Sequence, residues 1–422
     1  MKEITQAEFE TEVINGGKVV LDFYSTECPP CEAVAPKFEG LAKLYGNDVK
    51  FFKIFRQQNR ELADKLGVKS SPSLLFFDKG VQVGNMLTGG IKRSDIIHQL
   101  DNLIPAERVK QIKTHLKPSV SEFDVLILGA GPGGLTAGLY LCQSKVNTVL
   151  IDIALPGGHV STTHEVSNYP GFIDPQPGYL LSHNMSEQTK LCGTAYKVAV
   201  DVTKIDLINK EVVIDEYETV KAKKIIIATG TSPNLMGIPG ERELKGKGIS
   251  YCATCDAKYY GDKEVVVIGG GNSAVEEADF ISKFASKITM VHQFDAFTGN
   301  KQAQEKLFAN PKISVLFEHE PRSFYREGEK LVTEVEDLKT KTKIKLSADG
   351  VFIFIGMKPN VDKFKDVLEL DKWGYIKTDE DMRTSVPDVY AVGDVISKKY
   401  RQITTAVADG TIAAISIAKE LN

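Results

Sequence analysis

The sequence predicts an α/β protein of several domains, and three observations lead to this prediction. A chain of 422 residues is longer than one hydrophobic core usually serves. Residues 1–105 alternate short apolar runs, such as VVLDFY at 19–24, with helical patterns, which indicates a small α/β domain. Farther along, an apolar strand, a glycine-rich turn and a helix follow one another twice, at 123–141 and 264–281. We therefore expect one small α/β domain followed by two βαβ domains.

Composition argues against several classes of partner. Hydrophobic residues make up 42% and charged residues 26%, as in ordinary globular proteins, and the net charge is -4. This charge provides no basic field for nucleic acid or an anionic membrane surface. The first residues lack an apolar core behind a basic start, and the longest apolar run, 125–142, contains five glycines. We expect a cytoplasmic protein that binds neither nucleic acid nor membrane.

The first glycine-rich turn, GAGPGG at 129–134, predicts a dinucleotide site. Gly129, Gly131 and Gly134 directly follow the apolar strand and directly precede a helix. Glycines there let the backbone approach a pyrophosphate, and the helix N-terminus points free N–H groups at the phosphates. The next strand ends in Asp152, where an acid can bond a ribose hydroxyl.

The second turn, GGGNSA at 269–274, has Gly269, Gly271 and then Ala274 in the third glycine position, which still allows helix and strand to pack closely. The strand that follows leads into HQFDAFT at 292–298, which contains no arginine. A dinucleotide with a 2′-phosphate needs arginine there, because a guanidinium matches the charge and geometry of a phosphate. We therefore expect NADH rather than NADPH. The alternative that this turn binds no nicotinamide nucleotide stays open.

Four of the six cysteines form two CxxC pairs, CPPC at 28–31 and CATC at 252–255. A zinc site made from both pairs would place them about 15–20 residues apart. Cys31 and Cys252 are 221 positions apart, so we expect redox chemistry and no metal site. CPPC opens a helix after an apolar strand, so Cys28 lies at a helix N-terminus that stabilises a thiolate, and Cys31 is the resolving thiol.

Two carboxyl groups are candidates for moving protons at these pairs. Asp22 lies in the strand before CPPC, where a buried carboxylate could accept the proton of the resolving thiol; the alternative is a strand residue that faces the surface. Asp256 follows CATC directly and could shuttle a proton during disulfide reduction. We interpret the two remaining cysteines, Cys142 and Cys192, as inert core thiols.

Residues 1–105 resemble thioredoxin. The residues that carry the resemblance are Asp22, the CPPC pair, Pro36, Lys53, and SSPS, whose Ser71–Pro72 bond is similar to the family's cis-proline loop. Glu27 and Pro29 stand where the family has tryptophan and glycine. Both changes affect the face that recognises partners and the redox potential.

The remainder of the chain resembles low-molecular-weight thioredoxin reductase, an FAD-dependent pyridine nucleotide-disulfide oxidoreductase. The matching motifs are GAGPGG, PGGHVSTTHEVSNYPG (156–171), IIIATGTSPN (225–234), CATCD, GGGNSA, FIGMKPN (354–360) and VYAVGDVISKKYRQITTAVADG (389–410). The two resemblances imply a thioredoxin fold followed by two Rossmann-like nucleotide-binding domains. The implied bounds are 1–105 for the thioredoxin-like domain, 106–121 for a linker, 122–234 and 358–422 for the FAD-binding domain, and 235–357 for an NAD(P)H-binding-type domain that carries CATC.

The resemblance also implies the residues of both cofactor sites. The FAD site would comprise Gly129, Gly131, Pro132, Gly133, Gly134, Asp152, Gly158, His159, Val160, Asn168, Ala228, Thr229, Gly230, Asp394, Arg401 and Gln402. The nicotinamide site would comprise Gly269, Gly271, Asn272, Ser273 and Ala274. Asp394 is expected at the ribityl and phosphate portion of the flavin, and Asn168 near its ring system. His159 stands where the family usually has glutamine.

The resemblance implies an electron relay. Electrons would pass from a reduced donor, expected to be NADH, through FAD to Cys252 and Cys255, then to Cys28 and Cys31, and finally to a protein disulfide. Because HQFDAFT replaces the family's arginine-rich NADPH motif, reduced ferredoxin or another donor is one alternative. A peroxiredoxin-specific reductase is a second, because the layout is similar to the NADH-dependent peroxiredoxin reductase. Two complete CxxC pairs argue against a flavin-binding redox sensor, because a sensor needs only one switch. The resemblance to the reductase family also implies a homodimer.

Overall fold

The computed structural model describes residues 1–163 and 165–421. The strands of the described residues are β1 (Lys2–Glu3), β2 (Lys18–Tyr24), β3 (Lys50–Phe55), β4 (Ser73–Asp78), β5 (Val81–Thr88), β6 (Ser119–Leu128), β7 (Thr148–Asp152), β8 (Ala195–Val198), β9 (Val202–Asp206), β10 (Glu211–Ile214), β11 (Glu218–Ile227), β12 (Thr231–Pro233), β13 (Ile249–Ser250), β14 (Glu264–Ile268), β15 (Lys287–His292), β16 (Ile313–Phe317), β17 (His319–Glu327), β18 (Lys330–Asp337), β19 (Lys343–Ala348), β20 (Gly350–Ile353), β21 (Met357–Pro359) and β22 (Val389–Ala391). The α-helices are α1 (Pro29–Tyr45), α2 (Arg60–Lys65), α3 (Arg93–Leu103), α4 (Ala106–Thr114), α5 (Pro132–Gln143), α6 (Gly178–Cys192), α7 (Glu241–Leu244), α8 (Ala253–Asp256), α9 (Asn272–Ser282), α10 (Lys301–Phe308) and α11 (Ile403–Leu421).

These elements form two compact units. The first comprises Met1–Ser161, Leu180–Gly230 and Val361–Asn422, and the second comprises Thr162–Tyr179 and Thr231–Asn360. No helix of the described residues is both long enough and apolar enough to cross a membrane.

The N-terminal sheet of the first unit has the strand order β1–β3–β2–β4–β5. Its central strands are buried on both faces, which explains their nearly continuous apolar sequence. Val20 and Leu74 pack toward α1 on one face, and Leu21 and Phe77 belong to a separate cluster on the other. The expected small α/β domain is confirmed, and α1 continues through Pro36 as an unbroken helix.

The second sheet of this unit has the order β8–β7–β6–β11–β10–β9, with β22 added alongside β11. β6 pairs in parallel with both β7 and β11, so the GAGPGG turn lies at the carboxyl end of a central strand. A ligand binds in this position in open α/β sheets. The segment before β6 contains α4, and the first residues of β6 pair with β11 from Ser119 onward.

The second unit contains a parallel sheet in the order β13–β20–β14–β15–β16 and an antiparallel sheet of β17, β18 and β19. Its glycine-rich turn joins β14, the central strand, to α9. β12 and β21 pair in antiparallel fashion where the chain enters and leaves this unit. Both βαβ domains expected from the sequence are therefore present.

Within the first unit, the small α/β domain contacts the larger sheet through a half-buried lysine. The ammonium of Lys37, on α1, donates hydrogen bonds to the backbone oxygens of Val198 at 2.9 Å and Ala199 at 2.7 Å, beside β8. It also bonds the oxygen of Ile91 in its own domain at 3.1 Å. Burial lowers the pKa of Lys37 to about 8, although Asp215 opposes the shift. One side chain thus joins two domains through three carbonyl groups.

Polar and aromatic contacts surround this lysine. Lys92 forms an ion pair with Asp201 at 2.9 Å, and the guanidinium of Arg93 lies 4.5 Å from the ring centre of Tyr217. At the other end of the contact, Lys190 on α6 pairs with Glu32, the residue that follows Cys31. The contact therefore reaches the first turn of the helix that carries CPPC.

We predict that Lys37→Met loosens this contact. Methionine fills a similar volume but donates no hydrogen bond, so two backbone oxygens of the larger sheet lose their donor at a cost of about 1–3 kcal/mol. Hydrogen–deuterium exchange of the full chain should become faster in residues 89–95 and 195–201. Lys43→Met, an exposed change on the same helix, is the control and should leave both segments unchanged. Equal exchange in the two variants would show that the lysine does not hold the domains together.

Candidate active site

The two CxxC pairs are both disulfides, and they share one local geometry. Cys28 and Cys252 each occupy the N-cap of a helix, and each sulfur accepts a hydrogen bond from the backbone N–H of its partner cysteine at 3.2 Å. The disulfides are Cys28–Cys31 and Cys252–Cys255. The same N–H group and the positive end of the helix would stabilise a thiolate on the N-cap sulfur after reduction.

The surroundings of CPPC fit the thioredoxin resemblance. The Ser71–Pro72 bond is cis, as the sequence predicts, and the Cys28 sulfur lies 3.5 Å from the backbone oxygen of Ser71. Asp22 is 2% exposed and pairs in register with Lys53 on the adjacent strand. The alternative of a surface-facing Asp22 is therefore wrong.

The carboxyl group of Asp22 lies in an unusual environment for an acid. Its buried Oδ1 accepts no hydrogen bond from the described residues. Burial raises its pKa from 3.8 to about 7, and the positive charge of Lys53 only partly opposes this. A group with this pKa can both accept and return a proton near neutral pH.

The CATC pair has a more open environment. Cys252 is half-buried and Cys255 is exposed. The backbone N–H of Cys252 donates to the hydroxyl of Ser250 at 3.1 Å, at the end of β13. Asp256 closes the short helix α8 that the pair begins. The sequence therefore places its predicted proton carrier on the same helical turn as both sulfurs.

At the first glycine-rich turn, positions 129 and 131 are glycine for different structural reasons. Gly129 has a φ of +111°, and a Cβ there would stand 2.2 Å from the backbone oxygen of Ala228. Gly131 faces open space, so its backbone is accessible to a ligand. Asp152 accepts hydrogen bonds from the backbone N–H groups of Ala130 at 2.6 Å and Ala154 at 2.8 Å. Asp152, which the sequence predicts at a ribose hydroxyl, thus also stabilises the conformation of the turn through these hydrogen bonds.

A charged network that the sequence analysis missed surrounds Asp394. Asp409, on α11, accepts hydrogen bonds from the backbone N–H of Gly393 at 3.0 Å and from Lys398 at 2.7 Å. The same Lys398 ammonium lies 3.8 Å from Asp394. Arg401 stacks 3.8 Å above the ring of Tyr375 and donates to the backbone oxygen of Asp394 at 3.3 Å.

These residues fit a flavin nucleotide. The Oδ1 atom of Asp394 is buried and accepts no hydrogen bond from any described residue, and burial raises the pKa of its carboxyl group. A ribityl hydroxyl would give this oxygen the partner that a buried acceptor requires. Together with the open backbone at Gly131 and the helix N-terminus of α5, this provides a site for a polar chain ending in a pyrophosphate.

The other residues predicted for the FAD site lie on several segments. Gly158, His159 and Val160 form a short 3-10 helix after β7. Thr229 and Gly230 follow β11. Pro132, Gly133 and Gly134 begin α5, and Gln402 directly precedes α11. Asn168 belongs to the second unit, on an exposed stretch near the bridge between Val166 and Gln176.

The second glycine-rich turn repeats the pattern of the first. Gly269 has a φ of +133°, and a Cβ there would stand 2.1 Å from the oxygen of Phe354, while Gly271 faces open space. Asn272 accepts a hydrogen bond from the backbone of Asn300 at 2.6 Å, and Ala274 is fully buried. Ser273 is exposed in the first turn of α9.

The strand tip beside this turn carries His292 rather than an acid or an arginine. His292 is 7% exposed and lies against Gly270, where a Cβ would be 2.4 Å from its ring. The rings of Phe294 and Phe297 are 5.3 Å and 5.5 Å away, and burial lowers the pKa of the histidine. A neutral imidazole among aromatic rings offers no charge to a phosphate.

Comparison with known proteins identifies the families of both parts of the chain. Residues 123–410 match the family of pyridine nucleotide-disulphide oxidoreductases, and residues 1–102 match the thioredoxin family. The chain is 43% identical over 304 residues to a thioredoxin reductase of Peptoclostridium acidaminophilum, covering 70% of this chain and 96% of that protein. It is also 43% identical to a 34.2 kDa protein in the rubredoxin operon of Clostridium pasteurianum, covering 71% and 97%.

Solved structures give the same assignment. Thioredoxin reductase from Lactococcus lactis has a TM-score of 0.67 and 36% identity, covering 70% of this chain and 98% of that one. The enzyme from T. acidophilum has a TM-score of 0.66 and 32% identity, covering 71% and 99%. Neither of these similarities includes the N-terminal quarter, which the thioredoxin match explains. The chain belongs to the pyridine nucleotide-disulphide oxidoreductases and is a flavoprotein disulfide reductase of the thioredoxin reductase type fused to an N-terminal thioredoxin domain.

Proposed function

We propose that this protein carries electrons from NADH through FAD and the CATC pair to its own CPPC pair, and from there to the disulfide of another protein. The observation that carries the proposal is that one chain contains two disulfides with the same N-cap geometry. One lies in the region that matches the thioredoxin family, and the other lies in the region that matches the pyridine nucleotide-disulphide oxidoreductases. A reductase with a separate thioredoxin would need only one of them.

The exchange steps follow from thiol chemistry. Bound FAD supplies the two-electron chemistry that reduces Cys252–Cys255. A thiolate of this pair attacks the Cys28–Cys31 disulfide, giving a mixed disulfide between the pairs. The second thiol of CATC then attacks this mixed disulfide, which restores the Cys252–Cys255 bond and releases CPPC as a dithiol. The Cys28 thiolate attacks the client disulfide, and Cys31 resolves that intermediate.

Each exchange also moves protons. When Cys31 attacks a mixed disulfide, its proton has to leave, and Asp22 lies inside the same domain with a pKa of about 7. We assign Asp22 as the acceptor and Asp256 as the group that returns a proton at the CATC pair. Both assignments place a carboxyl group in the domain where a thiol must lose or gain a proton.

Fusion of the two proteins replaces a bimolecular encounter with an intramolecular one. A short covalent connection can hold two sites at an effective concentration of about 1 mM, provided that the geometry allows contact. The domain contact centred on Lys37 supports a defined arrangement of CPPC within its unit.

The choice of NADH over NADPH rests on the tip of β15. Neutral His292 occupies the position beside the second turn, and the sequence HQFDAFT provides no arginine for a 2′-phosphate. Reduced ferredoxin stays the alternative donor, because the strand tip also lacks the acid that would bond the ribose 2′-hydroxyl of NADH and carries His292 instead. We further propose a homodimer in the cytoplasm whose client is a protein disulfide, with a peroxiredoxin as one candidate client.

We predict that anaerobic NADH bleaches the flavin and releases about four thiols, two from each disulfide. NADPH at the same concentration should react at least about tenfold more weakly, because no arginine binds its extra phosphate. The measurement is flavin absorbance followed by a thiol count in the same sample. A Cys28→Ser/Cys31→Ser variant is the control and should release only two new thiols after full bleaching, in addition to the free thiols of Cys142 and Cys192.

Two results would contradict parts of this prediction. Bleaching by reduced ferredoxin but by neither nucleotide would replace NADH as the donor and keep the relay. Release of only two thiols by the wild-type chain after full bleaching, as in the control variant, would mean that CPPC receives no electrons from CATC, and the relay itself would be wrong.

We predict that Asp22→Asn stabilises the thioredoxin domain at pH 8 but not at pH 4. The folded-state pKa of Asp22 is raised from 3.8 to about 7, so ionisation costs the folded domain stability as pH rises through this interval. The gain from removing the charge is at most about 4 kcal/mol above pH 7. Hydrogen exchange of residues 18–24 in the full chain measures it, and Asp64→Asn, an exposed change, is the control.

The same variant tests the assigned role. Resolution of a mixed disulfide by Cys31 should be slower in Asp22→Asn by about 100-fold or more at pH 8. We expect the wild-type rate to rise near pH 7 as Asp22 ionises, and the variant should lose this rise. A variant that is more stable but resolves the mixed disulfide at the wild-type rate would leave Asp22 without a catalytic role.

A further inference from the structure

The two cysteines outside the CxxC pairs are brought together by the fold. Cys142 lies in the last turn of α5, and Cys192 is the last residue of α6, 50 positions later. α5 and α6 end side by side on the larger sheet of the first unit.

The contacts between the two residues are direct. The thiol of Cys142 donates to the backbone oxygen of Cys192 at 2.7 Å, and the sulfur of Cys192 lies 3.9 Å from the backbone oxygen of Leu139, one turn before Cys142. Burial raises the pKa of Cys142 to about 11, and a hydrogen bond with the Cys192 side chain adds to the shift. A Cβ at Gly193 would stand 3.5 Å from the Cys142 sulfur.

The pair is accessible from the surface. Both cysteines are half-buried, and the neighbouring Leu191 is 84% exposed. The sequence-based interpretation of Cys142 and Cys192 as core thiols is therefore wrong. Sequence spacing gave no indication of a pair, because the two helices are joined by strand β7 and a long irregular segment.

Chance is a poor explanation for this proximity. A packed residue touches about 6–12 others, so two positions chosen at random in a chain of this size would meet in roughly 3% of cases. The chain has only six cysteines, and with this contact all six lie in pairs. The other two pairs are disulfides.

We propose that Cys142 and Cys192 form a third redox pair, a reversible disulfide that links the ends of α5 and α6. A low-molecular-weight disulfide is the oxidant. One thiolate attacks it and releases one thiol, and the other cysteine then displaces the second thiol, so that the sulfur–sulfur bond forms between Cys142 and Cys192. Two electrons pass to the small disulfide, and the two protons of the cysteines appear on its thiol products.

The position of this link connects two parts of the relay. α5 begins at the GAGPGG turn, and α6 carries Lys190, which pairs with Glu32 beside CPPC. A disulfide between the helix ends would fix the two helices relative to each other. It lies outside both CxxC pairs, so it can be tested while the relay is disabled.

The test uses the full chain with Cys28, Cys31, Cys252 and Cys255 all changed to serine, which leaves two thiols. After incubation with excess oxidised glutathione, we expect both thiols to disappear without a glutathione adduct and to return with dithiothreitol. The same chain with Cys142→Ser added is the control and should retain one glutathione adduct on Cys192. Two remaining thiols, stable adducts on both cysteines, or disulfide-linked dimers would overturn the proposal.

A second measurement avoids the multiple variant. In the wild-type protein, fully reduced and then freed of reductant, peptide mapping should show a Cys142–Cys192 linkage after the same oxidation, forming later than the Cys28–Cys31 linkage. The delay is expected because a thiol with a pKa near 11 is rarely a thiolate at neutral pH. Maps that contain only the two CxxC linkages at equilibrium would overturn the proposal independently of the serine variants.

Discussion

Thiol–disulfide exchange needs a sulfur that can exist as a thiolate at neutral pH, and this requirement governs both CxxC sites. In each, the chain leaves a strand and begins a helix with the first cysteine as its N-cap, so that the sulfur accepts the N–H of the second cysteine at 3.2 Å. The geometry depends on the backbone more than on neighbouring side chains. Two domains of different fold can therefore present the same reactive group.

Carboxyl groups that are removed from water at the proposed sites lower the stability of the folded state when they ionise. Asp22 is almost fully buried and one of its oxygens accepts no hydrogen bond from the described residues, an arrangement that weakens the folded state whenever the acid ionises. One oxygen of Asp394 likewise accepts no hydrogen bond from the described residues, although the Lys398 ammonium lies 3.8 Å from it. Lys37 differs, because three carbonyl groups bind it. The unsatisfied acids lie at sites of proposed chemistry, whereas the satisfied lysine lies at a contact between domains.

Local patterns in the sequence predicted the elements that local physics controls. A strand followed by glycines and a helix could be placed without the fold, and so could the helix N-terminus at Cys28. The N-cap position of Cys252 was not predicted, and the burial of Asp22 was predicted with a surface-facing alternative. Contacts between distant segments could not be predicted. The hydrogen bonds of Lys37 to Val198 and the pairing of Lys398 with Asp409 depend on which exposed faces meet. No periodicity in a single sequence records that.

The proposed nucleotide site and the two CxxC disulfides are formed by different segments, so substitutions at one need not affect the other. A 2′-phosphate adds about two negative charges, which need a guanidinium or ammonium group at the tip of β15. That tip holds neutral His292 between aromatic rings. The N-cap geometry of CATC is formed by α8, a different segment of the second unit. Changes at the tip can thus alter the electron donor while both disulfides keep their reactivity, so the proposed relay to CPPC does not depend on which donor supplies its electrons.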